Sequence, residues 1–252
     1  MKLSQNDKII YGVVAIIIVA LVVTNIPELN INVPSGDSGS PDYIPPEINI
    51  TPPDTSDVPA PPPPTGIEPT SLMVSFDDVS ITMGDTLYGT VVSNGKDYPI
   101  TIHGLHVGAN IEQTYGGLLG DNGKFYDSNV MEVPGYWDFW ATTSSVTSNK
   151  PRVTVEGAML VSSKTSFSRT FGSTVATIQF YCHSSGSALF FFNDPDAGTS
   201  TPIENVYINS GGYGTTTLDV AGWSLGYYEL DFVVNGIKAS DYGESVEIFL
   251  GR

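Results

Sequence analysis

The chain has 252 residues, with 27 acidic against 10 basic side chains and a formal charge of −17. That balance excludes nucleic-acid binding, because no basic patch is present to neutralise phosphates. One cysteine, Cys182, excludes an intramolecular disulfide, so stability must come from core packing.

Residues 1–8 form a short head with Lys2 and Lys8, offset only by Asp7. The apolar run 9–26 follows and carries no charge, which predicts a single transmembrane helix near the lower length limit. No Lys or Arg appears after it until Lys96. The positive-inside tendency therefore predicts a cytoplasmic N-terminus, a signal anchor in the cell membrane and an extracellular C-terminal module. Thr24-Asn25-Ile26-Pro27 is a poor cleavage site, which counts against a removed signal peptide. A pilin-type leader would want a basic-Gly processing site before the run, and there is none.

Residues 27–70 hold 13 of the 18 prolines, including Pro61-Pro62-Pro63-Pro64. Proline fixes φ and removes a donor, so this stretch predicts a stiff, extended, acidic linker of disordered type. Two short echoes, IPELNINVP and IPPEINITPP, read as a degenerate repeat. Asn49-Ile50-Thr51 is a glycosylation sequon, and Asn49 is the expected acceptor.

From Ser71 the pattern is β. Turn residues punctuate short runs rich in Val, Ile, Thr, Tyr and Phe. The expected strands include 72–76, 86–92, 100–107, 152–160, 175–183, 188–192, 227–234 and 245–250. Asn94-Gly95, Asn122-Gly123 and Asn235-Gly236 are hairpin signals. The expected fold class is all-β: an antiparallel β-sandwich, jelly-roll or Ig-like, over 71–252. In Val175–Cys182 the residues Ala176, Ile178, Phe180 and Cys182 share one side, which predicts the core face and makes Cys182 a buried small hydrophobe.

Four segments follow one another as in cohesin-like modules: GDTLYGTVV (84–92), FYDSNVMEV (125–133), RVTVEGAML (152–160) and GSTVATIQFYCHSSGSALFFFND (172–194). The chain resembles a divergent archaeal or bacterial surface version of that family over 71–210. The resemblance implies a nine-stranded jelly roll that binds a protein partner, with no family binding residue carried over. Residues 211–252 are expected as closing strands. There, GYYELDFVVNG and SVEIFL read more like an Ig-like filament or adhesion domain.

Tyr136-Trp137-Asp138-Phe139-Trp140 is the densest aromatic run. In a strand, Tyr136 and Trp140 face one way and Trp137 and Phe139 the other, so one pair is a candidate for a partner surface. Asn193, Asp194 and Asp196 offer closely spaced oxygens for calcium, although Asp-Pro and Ala-Gly are ordinary turn formers. His103 and His106 fall on opposite faces of one strand, which counts against a zinc site with His183. No nucleophile elbow is present, and no carboxylate pair is singled out by spacing.

These features predict a single-pass cell-surface module that recognises a protein or glycan non-covalently and is not an enzyme. Calcium is the one cofactor considered, and self-assembly is a further option. The alternatives are a subunit or envelope anchor of a surface filament, such as a pilus or archaellum, and a glycan-active surface enzyme.

Overall fold

The computed structural model describes residues 66–252. The head, the apolar run 9–26, Asn49 and the linker up to residue 65 lie outside the described residues. Among the described residues no helix is long and apolar enough to cross a membrane.

The chain from Leu72 to Glu156 forms eight strands: β1 Leu72–Phe76, β2 Ser80–Thr82, β3 Thr86–Ser93, β4 Pro99–His106, β5 Ile111–Leu118, β6 Lys124–Val130, β7 Gly135–Thr142 and β8 Arg152–Glu156. They pair as a three-stranded sheet, β1-β3-β6, and a five-stranded sheet, β2-β8-β7-β4-β5. The chain from Ala158 onward forms nine more: β9 Ala158–Ser162, β10 Ser166–Ser168, β11 Val175–Cys182, β12 Gly186–Asp194, β13 Thr199–Ile208, β14 Tyr213–Asp219, β15 Gly226–Val234, β16 Ile237–Lys238 and β17 Val246–Gly251. These pair as β9-β11-β14 and as β10-β17-β15-β12-β13, with β16 added beside β15.

The two sets have the same topology. In each, the first, third and sixth strands make the small sheet, and a short second strand lies beside the last one. Those two edge pairings, β2 with β8 and β10 with β17, are parallel, and every other ladder is antiparallel. The protein is therefore a tandem repeat of one immunoglobulin-like sandwich rather than a single larger sandwich.

A detail of side-chain chemistry repeats with the topology. The seventh strand of each copy opens on Gly-Tyr-aromatic, Gly135-Tyr136-Trp137 and Gly226-Tyr227-Tyr228. Trp137 Nε1 donates to Val133 O at 3.0 Å, and Tyr228 Oη donates to Ser224 O at 2.8 Å. Each aromatic thus closes the corner before its strand by bonding four residues back, the role of the tyrosine corner in such sandwiches.

The cores follow the strand alternation. In the second sandwich one continuous cluster is built on Ile178, Phe180, Phe190, Leu230, Phe232 and Ile248. Phe180 packs edge-on against Phe190 and Phe232, with both ring centroids at 5.2 Å. Ala176, Ile178, Phe180 and Cys182 all face this core, as their spacing predicts. Burial pushes the Cys182 thiol pKa up, which keeps it an unreactive hydrophobe. The first sandwich has a split core. One cluster lies around Val74, Ile100 and Leu119 and another around Trp137, Phe139 and Val155, with Phe76 packed against both.

Three expectations are corrected. The run 152–160 is not one strand. It breaks at Gly157, whose φ of +154° favours glycine, and β8 and β9 belong to different sandwiches. The strands accordingly divide at Gly157, so the nine-stranded jelly roll implied by the cohesin resemblance is not what they build. GDTLYGTVV and FYDSNVMEV supply β3 and β6 of the first copy, while GSTVATIQF supplies β11 of the second. Of the three hairpin signals only Asn235-Gly236 closes a two-residue hairpin, with φ of 50° and 84°. Asn94 instead ties the incoming chain down, its Oδ1 accepting from the Thr70 and Ser71 amides. The Asn122-Gly123 turn carries the chain from one sheet to the other.

Asp231 is buried in the second sandwich and organises the 3-10 turn Ser240–Tyr242. Its Oδ1 accepts from the Phe232 and Ser240 amides, and its Oδ2 accepts from the Ser240 hydroxyl at 2.5 Å. Asp231→Ala removes the acceptor of the buried Phe232 amide and frees the exposed Ser240 donors to water, and is expected to destabilise the protein by about 1–3 kcal/mol. Urea titration followed by Trp fluorescence reads this.

Candidate functional site

The aromatic run lies on β7, and its two faces have different fates. Trp137 and Phe139 are buried in the first core, stacked on each other with centroids 6.2 Å apart. Tyr136 and Trp140 point the other way and are half-buried. Trp140 stacks on His103 of β4 (4.8 Å, interplanar angle 2°), and Lys150 Nζ sits 4.0 Å from the Trp140 ring centre. His103 in turn contacts Glu112 Oε1 and Thr142 Oγ1, each at 2.9 Å. Next to Trp140, Arg152 grips Asp138 with two bonds of 2.7 and 3.0 Å, which hold the Asp138 pKa below the usual carboxylate range. Of the four aromatic candidates, Trp140 is left at a sheet surface, flanked on both sides, and Tyr136 is drawn into the junction described below.

Asn193, Asp194 and Asp196 lie at the β12–β13 turn. Asp194 Oδ1 accepts from the Asp196 and Ala197 amides at 3.0 Å, so this carboxylate is engaged in closing the turn. Among the described residues no cluster of three His, Cys, Asp or Glu is arranged to hold a metal.

A surface that the sequence reading passed over is the outer face of β1-β3-β6. Met73, Tyr88 and Tyr126 stand out from it at 54%, 56% and 65% exposure. The register places Val92 opposite Met73 and Thr90 opposite Tyr126. Ser75, Ser128 and Val130 complete the face, and Lys124 at its end is the one charge on these strands' outward positions. Strict alternation in LMVSF and KFYDSNV was the available signal, since each places its exposed residues on one side.

The second notable place is the junction between the sandwiches. Gly108, in the β4–β5 turn, and Gly211, in the β13–β14 turn, meet backbone to backbone. A Cβ on Gly211 would lie 2.4 Å from the Gly108 Cα, and one on Gly108 would lie 2.7 Å from the Gly211 carbonyl carbon. Asn209 Nδ2 donates to Gly108 O at 3.3 Å. Tyr136 Oη donates to His183 O at 2.8 Å. The Gly157 amide donates to His183 Nδ1 at 2.8 Å. His106, at the end of β4, is fully buried here, edge-on to Trp137 (5.2 Å) and to Tyr181 of β11 (5.4 Å). Burial holds the His106 pKa below the usual histidine value and raises that of the Tyr181 hydroxyl. Glu244 at this end of the second copy has its pKa raised, by burial first and then by the charge of Glu132 in the first copy.

The chain matches no protein-family model. It also matches no curated protein. Among solved structures it is similar to the adhesin FdeC of Escherichia coli, with 12% identity and a TM-score of 0.28 over 73% of this chain and 65% of that one. It is similar to a tetra-tandem repeat from the extending region of a large adhesion protein, with 12% identity and a TM-score of 0.32 over 73% and 49%. It is also similar to the D0-D1 domain of intimin, with 14% identity and a TM-score of 0.25 over 73% and 99%. The likeness is low in every case, and the chain spans less than two thirds of the length of the first two structures.

Proposed function

We propose that the protein is a cell-surface binding module, not an enzyme, and that its tandem sandwiches recognise a protein partner through the outer face of β1-β3-β6. The observation that carries this reading is the character of that face. In a chain of charge −17, it combines exposed Met73, Tyr88 and Tyr126 with Ser and Thr and a single terminal Lys124. Aromatic and Met side chains with few charges are the composition of protein-interface centres. The apolar run 9–26 and the proline-rich stretch behind it support membrane anchoring with the sandwiches displayed outside. Protease treatment of intact cells is expected to remove the sandwiches and spare the N-terminus.

The binding test is a pull-down from surface extracts with the full chain, its Tyr88→Ala/Tyr126→Ala variant and its Trp140→Ala variant. The proposal expects one protein retained by the parent chain, at least tenfold less retained by the double variant, and retention unchanged by Trp140→Ala. Loss with Trp140→Ala alone would move the site to the five-stranded sheet. Retention of further copies of the chain would favour filament assembly, and retention of glycan alone would overturn the protein-partner reading.

A further inference from the structure

We propose that His106 makes the junction a pH-responsive latch that holds the two sandwiches together when its ring is neutral and releases them when it is protonated.

The hydrogen bonds assign the ring's tautomer. His106 Nε2 lies 3.0 Å from Pro134 O, which can only accept, so Nε2 carries the hydrogen. The Ala109 amide donates to Nδ1 at 3.1 Å, so Nδ1 must offer its lone pair. A second proton on Nδ1 would point at the Ala109 N–H, turning a hydrogen bond into a donor–donor clash. Ala109 belongs to the β4–β5 turn whose Gly108 abuts Gly211 and accepts from Asn209. The turn that must move on protonation is thus the one that makes the closest contact between the sandwiches.

Two backbone carbonyls, Pro134 O and that of His106 itself, favour the cation, but burial outweighs them and no counter-charge is supplied. From β7 the ring meets Gly135 and Trp137, from the preceding loop Pro134, and from β11 Tyr181. The raised Tyr181 pKa keeps that hydroxyl neutral. Among the described residues no acidic or basic side chain hydrogen-bonds or pairs with His106. Two other features share the junction: His183, whose Nδ1 lies 2.8 Å from the Gly157 amide and 3.0 Å from its carbonyl, and the Glu132–Glu244 pair. Protonating Glu244 relieves repulsion, so that pair strengthens coupling in acid and opposes the latch.

The sign follows from linkage. The coupled state lowers the His106 pKa and the separated state restores it to about 6.5, so the separated state binds the extra proton. Coupling is complete above about pH 6.5 and weakens as the pH falls below it. At pH 5.5 the separated population should rise by up to about tenfold over that at pH 7.5.

The test uses the full chain with spin labels on Thr114→Cys and Thr217→Cys, exposed positions in the two sandwiches, while the buried Cys182 stays unlabelled. Pulsed dipolar spectroscopy should show one narrow distance at pH 7.5 and a growing second population at pH 5.5. His106→Gln should abolish that response. Independently, the His106 ring titration by NMR should have a midpoint below 6.5, rising towards it in Gly211→Ala, where the junction is forced open. An unchanged distance distribution between the two pH values would overturn the latch. So would a response that survives in His106→Gln, which would belong to a group other than His106. If His106→Gln does not couple at any pH, the titration decides, and a midpoint unmoved by Gly211→Ala refutes the proposal.

Discussion

Phe180→Ala should destabilise the second sandwich by about 3–5 kcal/mol. The ring is fully buried on β11, at the centre of the second core, edge-on to Phe190 from β12 and Phe232 from β15. Those strands lie in the opposite sheet, so Phe180 is a central contact between the two sheets. Truncation removes the transfer free energy of the ring and leaves a cavity that a closely packed sandwich can only partly collapse. Two aromatic pairs, each contributing about 0.5–1.5 kcal/mol beyond area burial, are lost as well. Denaturant unfolding should separate into two transitions, the earlier belonging to residues 158–251. A single unshifted transition would show that Phe180 does not bridge the sheets.

Gly211→Ala should uncouple the sandwiches while leaving each one folded. The glycine's backbone is not in the left-handed region, so alanine introduces no dihedral strain. The effect comes from space, because the new Cβ would lie 2.4 Å from Gly108 atoms, closer than any real Cβ contact. These are backbone atoms with no rotamer to yield, so the turns must part. Overpacking of this kind costs about 1–3 kcal/mol, charged here to the junction rather than to either core. Parting the turns exposes His106 and Tyr181. Hydrogen exchange should accelerate at 106–110, 181–183 and 209–212 and stay unchanged at Phe180 and Phe139. Faster exchange throughout both cores would mean that the junction is part of one larger core.

Much of the strand pattern was legible because alternation is a strong local signal. Leu72–Phe76 coincides with its expected range, and the core side of Val175–Cys182 is correctly assigned. The repeat was not legible. Its copies share topology but few residues, as LMVSF against AMLVS and PITIHGLH against GSALFFFND show. What recurs is sparse: a Gly-x-Thr entry at Gly84 and Gly172, and the Gly-Tyr-aromatic opening at Gly135 and Gly226. Gly157 hid the boundary, since one glycine in RVTVEGAML does not interrupt a β pattern. The same limit applies to the candidate site. The aromatic density at 136–140 reflects a strand serving the first core with one face and the junction with Tyr136, whereas the exposed face draws single residues from three separate strands. His106 could be placed on the face opposite His103, but the partner that buries it, Tyr181, lies in the other copy.

The central claim is that two copies of one sandwich are locked through the Gly108–Gly211 and His106–Tyr181 contacts. Residual dipolar couplings of Gly66–Arg252 at pH 7.5, a span that contains both cores entirely, test it most directly. One alignment tensor should fit the amides of β1 to β8 and those of β9 to β17 together. Two tensors of different magnitude or orientation would contradict the claim and leave the sandwiches as independent beads.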